Sequence, residues 1–409
     1  MAAVGSPVSL GHEGFMTHMR DEKDGMRQTL EVDGNRLTLF PDGPARLDAL
    51  KALIASARRR LDLYFYIFGR DDCAVEVRDA LIDACNRGVA VTLLVDAFGS
   101  STTPDAVFAP LIEAGARFDR FGKPRSTRYL IRNHQKMVMA DGKRAMIGGF
   151  NIEQGYFSAE DDPEAWRDVA LRIEGPLVAP LCVWFDGLAA WTLRRRQSFR
   201  ALRRMVRDWE PGEGAAIWLV GGPTRYLNCW ARYVKRDLQR GHRLDMAAAY
   251  FSPGWAMVRR LCGISRRGTA RIVTPSRSDN KATIGAARHI YRKLLRAGVE
   301  LFEYLPQKLH SKLVVIDDIG YVGSANFDMR SLFINVELVL RVEDEAFAAA
   351  LRREIDHVAS ESQRIDRPTF RAMARPLSRL RWWFDYLLVG VLDFTVTRRL
   401  ALRWDPRGK

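Results

Sequence analysis

The chain carries one short motif twice, and this repeat constrains its fold more than any other feature. In each copy a histidine is followed two positions later by a lysine, and then by an aspartate and an asparagine. Residues two apart on a strand point to the same face, so each copy predicts an imidazole beside a lysine ammonium. Two such copies can together build one site that handles a phosphate group. The copies are His134, Lys136, Asp141 and Asn151, and His310, Lys312, Asp317 and Asn326.

The pattern of helices and strands is repeated as well. Apolar periodicity predicts helix 45–60, strand 61–68, helix 74–87 and strand 89–96, and then helix 226–240, strand 244–251, helix 255–267 and strand 270–275. Strands that alternate with helices are typical of a largely parallel sheet covered by helices. The sequence therefore predicts an α/β protein with two similar lobes.

The length of the chain fits this division. A chain of 409 residues is long for a single core and predicts two or three units. We expect an N-terminal extension, a first lobe, an arginine-rich interlobe segment, a second lobe and a C-terminal helical segment. Their predicted bounds are 1–35, 36–193, 194–212, 213–345 and 346–409.

Net charge, cysteine content and the N-terminal sequence indicate the partner, the kinds of site and the compartment to expect. The formal net charge of +15 indicates an anionic partner, either nucleic acid or an acidic lipid surface. The five cysteines are widely spaced and include no Cys-x-x-Cys pair, so we expect neither a disulfide framework nor a zinc site. The first 20 residues lack the unbroken apolar core of a signal peptide. We therefore expect a cytoplasmic protein.

In its two repeated strings the chain resembles the phospholipase D superfamily, whose duplicated HKD motif these residues reproduce. Within that superfamily, segments 148–151, 166–168, 172–176, 323–331 and 335–337 are similar to cardiolipin synthase. The resemblance covers about residues 36–345. It implies the phospholipase D fold, in which two α/β/α sandwich lobes pack about a pseudo-twofold axis and share an active site at their interface.

The repeated residues match what phosphodiester chemistry requires. Cleavage through a covalent intermediate needs a nucleophile, a proton donor for the leaving alcohol, and fixed positive charge around the phosphate oxygens. One imidazole from each lobe can supply the first two, and Lys136 and Lys312 supply the charge. The side-chain amides of Asn151 and Asn326 can donate hydrogen bonds to the same oxygens.

The two histidines are chemically almost equivalent, and the residues alone leave their order open. The resemblance implies His134 as the nucleophile, which forms a phosphohistidine, and His310 as the general acid and later base. A nucleophilic imidazole must also be held in one tautomer, usually by a carboxylate at its other nitrogen. We predict that Asp168 and Glu337 are these orienting groups.

The motif aspartates are predicted to have a structural role and not a chemical one. Asp141 and Asp317 each follow an apolar strand and precede a turn, where aspartate is favoured for local hydrogen bonding, and the resemblance also implies a structural role. Six residues separate Asp141 from Gly148 but only five separate Asp317 from Gly323, which predicts a tighter second hairpin. No metal or nucleotide cofactor is expected, because no metal-ligand cluster or phosphate-binding glycine loop is visible.

Two segments outside the motifs bear on the substrate. Residues 194–207 hold seven arginines and no acidic residue, which favours attachment to an anionic leaflet over a solvated linker helix. Residues 380–394 are apolar at helical spacing but are interrupted by Asp385 and Asp393, so they are too short to span a bilayer. They predict either an interfacial helix or a helix packed on the second lobe.

Taken together, the resemblance implies a phospholipase D-type cardiolipin synthase bound peripherally to the inner membrane. It would condense two phosphatidylglycerols into cardiolipin and glycerol, with phosphatidylglycerol and the membrane surface as its partners and without nucleic acid. A phospholipase D hydrolase would share every catalytic residue. A phosphodiesterase acting on nucleic acid would instead use the arginine segment as a groove for the backbone.

Overall fold

The computed structural model describes residues 28–122, 131–194, 197–224 and 227–392. The first lobe is built on an eight-stranded sheet with two helices on its outer face. Its strands are β1 (Thr29–Val32), β2 (Asn35–Phe40), β3 (Arg60–Phe65), β4 (Ala90–Asp96), β5 (Arg117–Phe121), β6 (Met137–Ala140), β7 (Arg144–Gly148), β8 (Trp166–Arg167) and β9 (Ala170–Glu174). Its helices are α1 (Gly43–Ser56), α2 (Asp72–Asn86), α3 (Ala109–Glu113) and α4 (Val178–Thr192).

The second lobe follows a connecting helix, α5 (Phe199–Arg207), and is built in the same way. Its strands are β10 (Ala216–Gly221), β11 (Arg243–Ala248), β12 (Phe251–Ser252), β13 (Thr269–Pro275), β14 (Glu300–Tyr304), β15 (Lys308–Leu309), β16 (Lys312–Ile316), β17 (Ile319–Gly323), β18 (Phe327–Asp328), β19 (Glu337–Glu343) and β20 (Ser362–Arg364). Its helices are α6 (Cys229–Arg240), α7 (Trp255–Arg267), α8 (Lys281–Arg296), α9 (Met329–Phe333), α10 (Glu345–Ser360), α11 (Arg367–Met373) and α12 (Pro376–Tyr386), the last continuing into a π-helical turn, Leu387–Leu392.

The strand order confirms the two-lobed α/β fold. The first sheet has the order β1-β2-β9-β7-β6-β3-β4-β5, and the second has the order β10-β19-β17-β16-β11-β13-β14-β20. Seven consecutive strands therefore correspond between the lobes, from β2 and β10 at one side to β5 and β14 at the other. The helices that follow matching strands correspond too, for example α4 after β9 and α10 after β19.

The expectation of a largely parallel sheet is wrong. Only β3, β4 and β5, and β11, β13 and β14, run parallel to one another, while the remaining neighbours in each sheet are antiparallel. The reason lies in the motifs themselves. Each forms a hairpin, β6 with β7 and β16 with β17, and short turns can join only antiparallel strands.

The motif aspartates sit in these hairpin turns in a left-handed backbone conformation. Asp141 has φ 54° and Asp317 has φ 49°, values that Asp tolerates better than most residues. Ala140 pairs with Arg144 in the first hairpin, whereas Ile316 pairs with Ile319 in the second. The second turn is therefore one residue shorter, as the spacing predicted.

The sheets extend beyond two of the predicted boundaries. Strand β1 starts at Thr29, ahead of the predicted start of the first lobe at 36, because it pairs antiparallel with β2. Strand β20 ends at Arg364, past the predicted end of the second lobe at 345, because it pairs with β14. The segment assigned to the C-terminus thus begins with α10 and β20, which belong to the second lobe.

The apolar core joins the lobes. One cluster contains residues of both sheets together with α4 and α10, for example Trp184 from the first lobe and Trp218 from the second. The indole of Trp218 donates a hydrogen bond to the Leu177 carbonyl of the other lobe at 2.8 Å. Two further clusters lie between each sheet and its outer helices. The described chain is therefore layered, with α4 and α10 between the two sheets.

Candidate active site

The two motif histidines lie where the lobes meet, each two or three residues before a sheet strand begins. The backbone N–H of His134 donates to the Val336 carbonyl of the second lobe at 2.8 Å. The N–H of His310 donates to the Arg167 carbonyl of the first lobe, also at 2.8 Å. Each histidine is thus fixed by a segment of the opposite lobe.

The Nδ1 atom of His134 faces two acceptors from the second lobe. It lies 3.0 Å from the Ser324 carbonyl oxygen and 3.3 Å from a carboxylate oxygen of Glu337. Neither a carbonyl nor an ionised carboxylate can donate a hydrogen bond, so Nδ1 must carry the proton. The lone pair of a neutral His134 is consequently on Nε2, the nitrogen a nucleophile uses.

The carboxylate of Glu337 is itself held by a network of hydroxyl groups. Ser324 donates to one of its oxygens at 2.5 Å, and Ser331 donates to the other at 2.7 Å. Burial alone would raise the pKa of Glu337, but its charged and hydrogen-bonding neighbours, His134 first among them, bring that pKa below the ordinary value. Glu337 is therefore ionised and accepts the proton of Nδ1.

The Nδ1 atom of His310 lies 2.7 Å from a carboxylate oxygen of Asp168, which belongs to the first lobe. On the other side of the ring, Nε2 lies 3.4 Å from the Tyr156 hydroxyl, which accepts a hydrogen bond from the Asn151 amide at 3.0 Å. Burial opposes the ionisation of Asp168, but Lys312 and His310 outweigh it and lower the pKa of this carboxyl.

The carboxylates are exchanged between the lobes: each one contacts the histidine of the opposite lobe. Asp168 is closer in sequence to His134 but contacts His310, and Glu337 is closer to His310 but contacts His134. Sequence reasoning selected both carboxylates but gave no means of assigning each one to its partner. The exchange makes the site depend on the docking of both lobes.

The two motif lysines supply positive charge beside the histidines. Lys136 and Lys312 are buried, and each ammonium donates to the backbone carbonyl of the histidine two residues before it, at 2.8 and 2.7 Å. Burial lowers the pKa of Lys136 well below its ordinary range and lowers that of Lys312 to about 8. Burial and the adjacent lysines also lower the pKa of His134 to about 4 and that of His310 to about 3.

The two motif asparagines differ in how far their side-chain hydrogen bonds are already satisfied. The Asn151 side chain is engaged on both ends, since its oxygen accepts from the Ile67 N–H at 3.2 Å and its amide donates to Tyr156. The Asn326 side-chain oxygen is buried without a hydrogen-bond partner. Asn326 therefore retains the greater capacity for a new polar contact.

Asp141 and Asp317 lie away from the histidines and cap other strands. The Asp141 carboxylate accepts the backbone N–H groups of residues 58, 59 and 60 at 2.9, 2.8 and 3.0 Å, where β3 begins. Asp317 does the same at the start of β11, accepting from Arg243 at 2.8 Å. These contacts reach farther along the chain than the local hydrogen bonds that the turn signal indicated.

Several residues at the site escaped sequence reasoning. Aromatic rings surround the imidazoles: Tyr66 is 4.8 Å from His134, and Trp166, Tyr156 and Tyr250 lie 5.2, 5.0 and 6.3 Å from His310 between ring centroids. Tyr66 and Tyr250 follow matching strands, β3 and β11, so a longer comparison of the two halves could have found them.

Gly149 is a second residue that sequence reasoning missed. A Cβ atom at this position would lie 2.6 and 2.7 Å from the Asp168 carboxylate oxygens and 2.9 Å from the Lys312 ammonium. The second copy of the motif has Ser324 at the matching place, where the hydroxyl contacts Glu337. The glycine thus makes room for Asp168 to reach His310, and the serine holds Glu337.

The arginine-rich segment forms helix α5, capped by the Ser198 hydroxyl. Its apolar side chains Leu202 and Val206 are buried in the core shared by the lobes, and its arginines lie on the other side. Arg195 and Arg196 of the predicted segment lie outside the described residues. The segment is therefore a packed helix that presents arginines, not an extended linker.

One side of the C-terminal helix packs on the second lobe, which is one of the two predictions made for it. Trp382 and Tyr386 of α12 are buried against the outer core of the second lobe, and the Tyr386 hydroxyl donates to the Pro253 carbonyl at 3.2 Å. The opposite side is apolar and exposed; this C-terminal apolar face consists of Leu377, Leu380, Trp383, Phe384, Leu388 and Leu392. The predicted continuation from Asp393 onwards, with its arginines, lies outside the described residues. Among the described helices, none has the length and apolar character needed to cross a membrane.

Comparison with known proteins places the chain in a family. The family model described as cardiolipin synthase, PLD-like domain, matches residues 50–183 and 234–359. Cardiolipin synthase B of Escherichia coli (strain K12) is 30% identical over 387 residues, which cover 91% of each chain. Cardiolipin synthase A of Pseudomonas entomophila (strain L48) is 31% identical over 322 residues, which cover 77% of this chain and 66% of that relative.

A solved structure shows the same fold at low sequence similarity. The crystal structure of phosphatidylserine synthase from Haemophilus influenzae Rd KW20 matches with a TM-score of 0.71 and 14% identity, and the match covers 91% of this chain and 99% of that chain. The fold, the duplicated motif and the family match agree. The chain therefore belongs to the cardiolipin synthase, PLD-like domain family and is a phosphatidyltransferase of the phospholipase D type.

Proposed function

We propose that this enzyme condenses two phosphatidylglycerol molecules into cardiolipin and glycerol through a phosphohistidine intermediate. The observation that carries the proposal is the pair of imidazoles with Nδ1 fixed by a carboxylate from the opposite lobe, next to two buried lysines. The relatives named cardiolipin synthase, which match over most of this chain, support this choice of substrate and product.

In the first step the Nε2 lone pair of His134 attacks the phosphorus of one phosphatidylglycerol. The bond from phosphorus to the headgroup glycerol oxygen breaks, and His310 donates its proton to that oxygen, so that glycerol leaves. In the free site His310 is neutral, because burial lowers its pKa to about 3. The negative phosphate of the bound lipid, together with the Asp168 carboxylate, favours its protonated form. Lys136 and Lys312 stabilise the charge on the phosphate oxygens.

In the second step the headgroup hydroxyl of another phosphatidylglycerol attacks the phosphohistidine. His310 now accepts the proton of this hydroxyl, the bond from phosphorus to His134 breaks, and cardiolipin is released. The same imidazole therefore serves as acid and then as base. Asp168 and Glu337 act as positioning residues, because they contact the histidines and not the phosphorus.

We also propose that the enzyme attaches peripherally to the cytoplasmic side of the inner membrane. The exposed C-terminal apolar face, flanked by the exposed Arg375, Arg379 and Arg381, supports this location. Apolar side chains on one face of a helix can enter the headgroup region while arginines meet lipid phosphates.

The proposal is tested by mass spectrometry of the products formed from phosphatidylglycerol vesicles. We expect cardiolipin and glycerol from the wild-type protein and neither from His134→Ala. His357→Ala is a matched control, because His357 is a partly exposed histidine on α10 and lies outside the site. Phosphatidic acid without cardiolipin would make the enzyme a hydrolase and would contradict the proposed transfer.

A second experiment assigns the histidines. When His310 is replaced by Ala, the acid of the first step and the base of the second step are both missing. A phosphatidyl ester of p-nitrophenol needs no acid, because its leaving group is stable as an anion, so with this donor the phosphohistidine should still form and then accumulate on His134. Brief incubation followed by peptide mass spectrometry should find a phosphatidyl group on the peptide that contains His134. A modified His310 in the His134→Ala protein would reverse the assignment.

A further inference from the structure

A cavity of about 520 Å³ lies between helix α5 and the N-terminal end of helix α6, outside the catalytic residues. We call it the arginine cavity. Among the lining residues that the structure describes, five are arginines and none is acidic. The lining consists of Arg200, Arg203, Arg204, Val206, Arg207, Thr224, Leu227, Asn228, Cys229 and Arg232.

The arginine cavity is held in place by buried structure. Val206 and Leu202 anchor α5 in the core, and a Cβ at Gly222 would lie 2.6 Å from Val206, which shows how closely the helix packs there. On the other side, Asn228 caps α6 by accepting from the Ala231 N–H and donates to the Leu332 carbonyl at 3.1 Å. The arginines therefore project from two fixed helices.

The charge of the cavity favours an anion with several oxygens. Arg207 is paired with Asp208 at 2.8 Å, but Asp208 lies outside the lining. The N-terminal end of α6 adds the positive end of a helix dipole. Guanidinium groups recognise phosphate through paired hydrogen bonds, so a phosphate group is the chemistry that this cavity fits.

The position of the cavity links it to the active site. Phe199 of α5 packs with Ile131 and Ile334, which lie close in sequence to His134 and Glu337. The lining also contains the apolar residues Val206 and Leu227, which suit the glycerol part of an amphiphile. Only one aromatic residue, Phe199, lies among the arginines of α5, whereas a site for single-stranded nucleic acid would need several rings for stacking.

We propose that the arginine cavity binds the phosphate of an anionic phospholipid headgroup other than the one being cleaved. It is a second lipid site, which holds the enzyme on an anionic leaflet beside the His134 side of the active site. The inference goes beyond the proposed reaction, because such a site would serve a transferase or a hydrolase equally.

The test measures binding without turnover. In the His134→Ala protein, calorimetry with a short-chain, monomeric phosphatidylglycerol should detect the sites for the donor and acceptor lipids of the proposed reaction and one further site in the cavity. Arg204→Ala with Arg232→Ala should weaken one of them roughly thirtyfold, because each arginine close to a lipid phosphate contributes a factor of roughly five. Arg204→Lys with Arg232→Lys retains the charge but not the paired hydrogen bonds, so its binding should lie between that of the wild-type protein and that of the alanine pair, which separates this loss from misfolding.

A control pair separates the cavity from general charge. Arg59→Ala with Arg117→Ala removes two exposed arginines of the first lobe and should leave the affinity of every site unchanged. An equal loss in this control, or unchanged binding in the cavity variant, would refute the proposal. So would inorganic phosphate binding as tightly as the lipid, which would indicate a site for the free ion. Loss of oligonucleotide binding with intact lipid binding would assign the cavity to nucleic acid instead.

Discussion

The proton on Nδ1 of His134 is fixed by two acceptors that come from sequence far beyond the first lobe. The Ser324 carbonyl and the Glu337 carboxylate leave this imidazole only one neutral form that satisfies both contacts. His310 is placed in the same way by Asp168 at a shorter distance of 2.7 Å. At the residue scale the site is therefore two histidine–carboxylate pairs.

Replacing the carboxylate of one pair tests its positioning role. Asp168→Asn should lower kcat by roughly a thousandfold or more, because an amide cannot stabilise protonated His310 and permits the wrong tautomer. Steady-state rates on phosphatidylglycerol vesicles would measure the effect. Asp161→Asn, at an exposed position nearby in sequence, should leave kcat unchanged. A wild-type kcat in Asp168→Asn would contradict the role of this carboxylate.

The pH dependence of kcat/KM should reflect the loss of the proton from Lys312. Burial lowers the pKa of this lysine to about 8, so its charge is present below pH 8 and is lost as the pH rises through that value. We therefore expect kcat/KM to fall on the alkaline side with a midpoint near pH 8. Lys312→Arg should move this fall to higher pH, since arginine stays charged. A flat profile up to pH 10 in the wild-type protein would rule out this assignment.

How far the sequence predicts these residues depends on distance along the chain. The repeated strings identify His134 and His310 directly, because a lysine and an aspartate follow each at fixed spacing. The partner of each histidine could not be deduced, since contacts across 203 and 142 residues leave no local pattern. Gly149 was missed for the same reason. Its missing side chain matters only because the Asp168 carboxylate, from a later segment of the chain, lies against it.

At the scale of elements, two short strand contacts bring the site together. Strand β15, just before His310, pairs in parallel with β8, just before Asp168. Asn133, just before His134, forms an isolated bridge with Val336, just before Glu337. Each histidine and its carboxylate are therefore neighbours in register, and the backbone pairing sets the distance between their side chains.

The C-terminal helix leads to a prediction about membrane binding. Trp383→Ser with Phe384→Ser removes two exposed aromatic residues, and binding to phosphatidylglycerol vesicles should weaken by roughly a hundredfold or more, because each ring that becomes buried in the lipid contributes about 1.5–3 kcal/mol. The melting temperature should barely change, since surface substitutions alter stability by about 0.5 kcal/mol or less. Vesicle sedimentation and calorimetry would measure both quantities.

Ile112→Ser provides the control for this experiment. Ile112 is an exposed apolar residue on α3 of the first lobe, away from the C-terminal apolar face. We expect this variant to bind vesicles like the wild-type protein. If the aromatic double variant also binds normally, the face serves another purpose and the membrane is held elsewhere.

At the scale of the whole molecule, the shared core should make the two lobes unfold together. Trp218 is buried between them and donates a hydrogen bond to Leu177. We expect a single transition in calorimetry. Trp218→Ala should shift it down by roughly 5 °C without splitting it, for a loss of about 3–5 kcal/mol. Two separate transitions in the wild-type protein would show that the lobes are independent.

The division into two α/β lobes could be predicted from the sequence, but the direction of the strands within each sheet could not. The repeated helices and strands gave two α/β lobes, because periodicity is a local property. Strand direction was predicted wrongly, since the hairpins at Asp141 and Asp317 turn the chain back where a crossover helix was expected. The extra strand β20 was also missed, because three polar residues, Ser362 to Arg364, carry no apolar alternation.

The exchange of carboxylates has a consequence for a chain that is still being made. When the first lobe has left the ribosome, His134 has been synthesised, but Ser324 and Glu337 have not. The imidazole then lacks both groups that fix its proton, and Lys312 and His310 are also missing. A partly made chain therefore contains only half of the proposed site. We expect it to have no activity on lipids until the second lobe has been made and has folded.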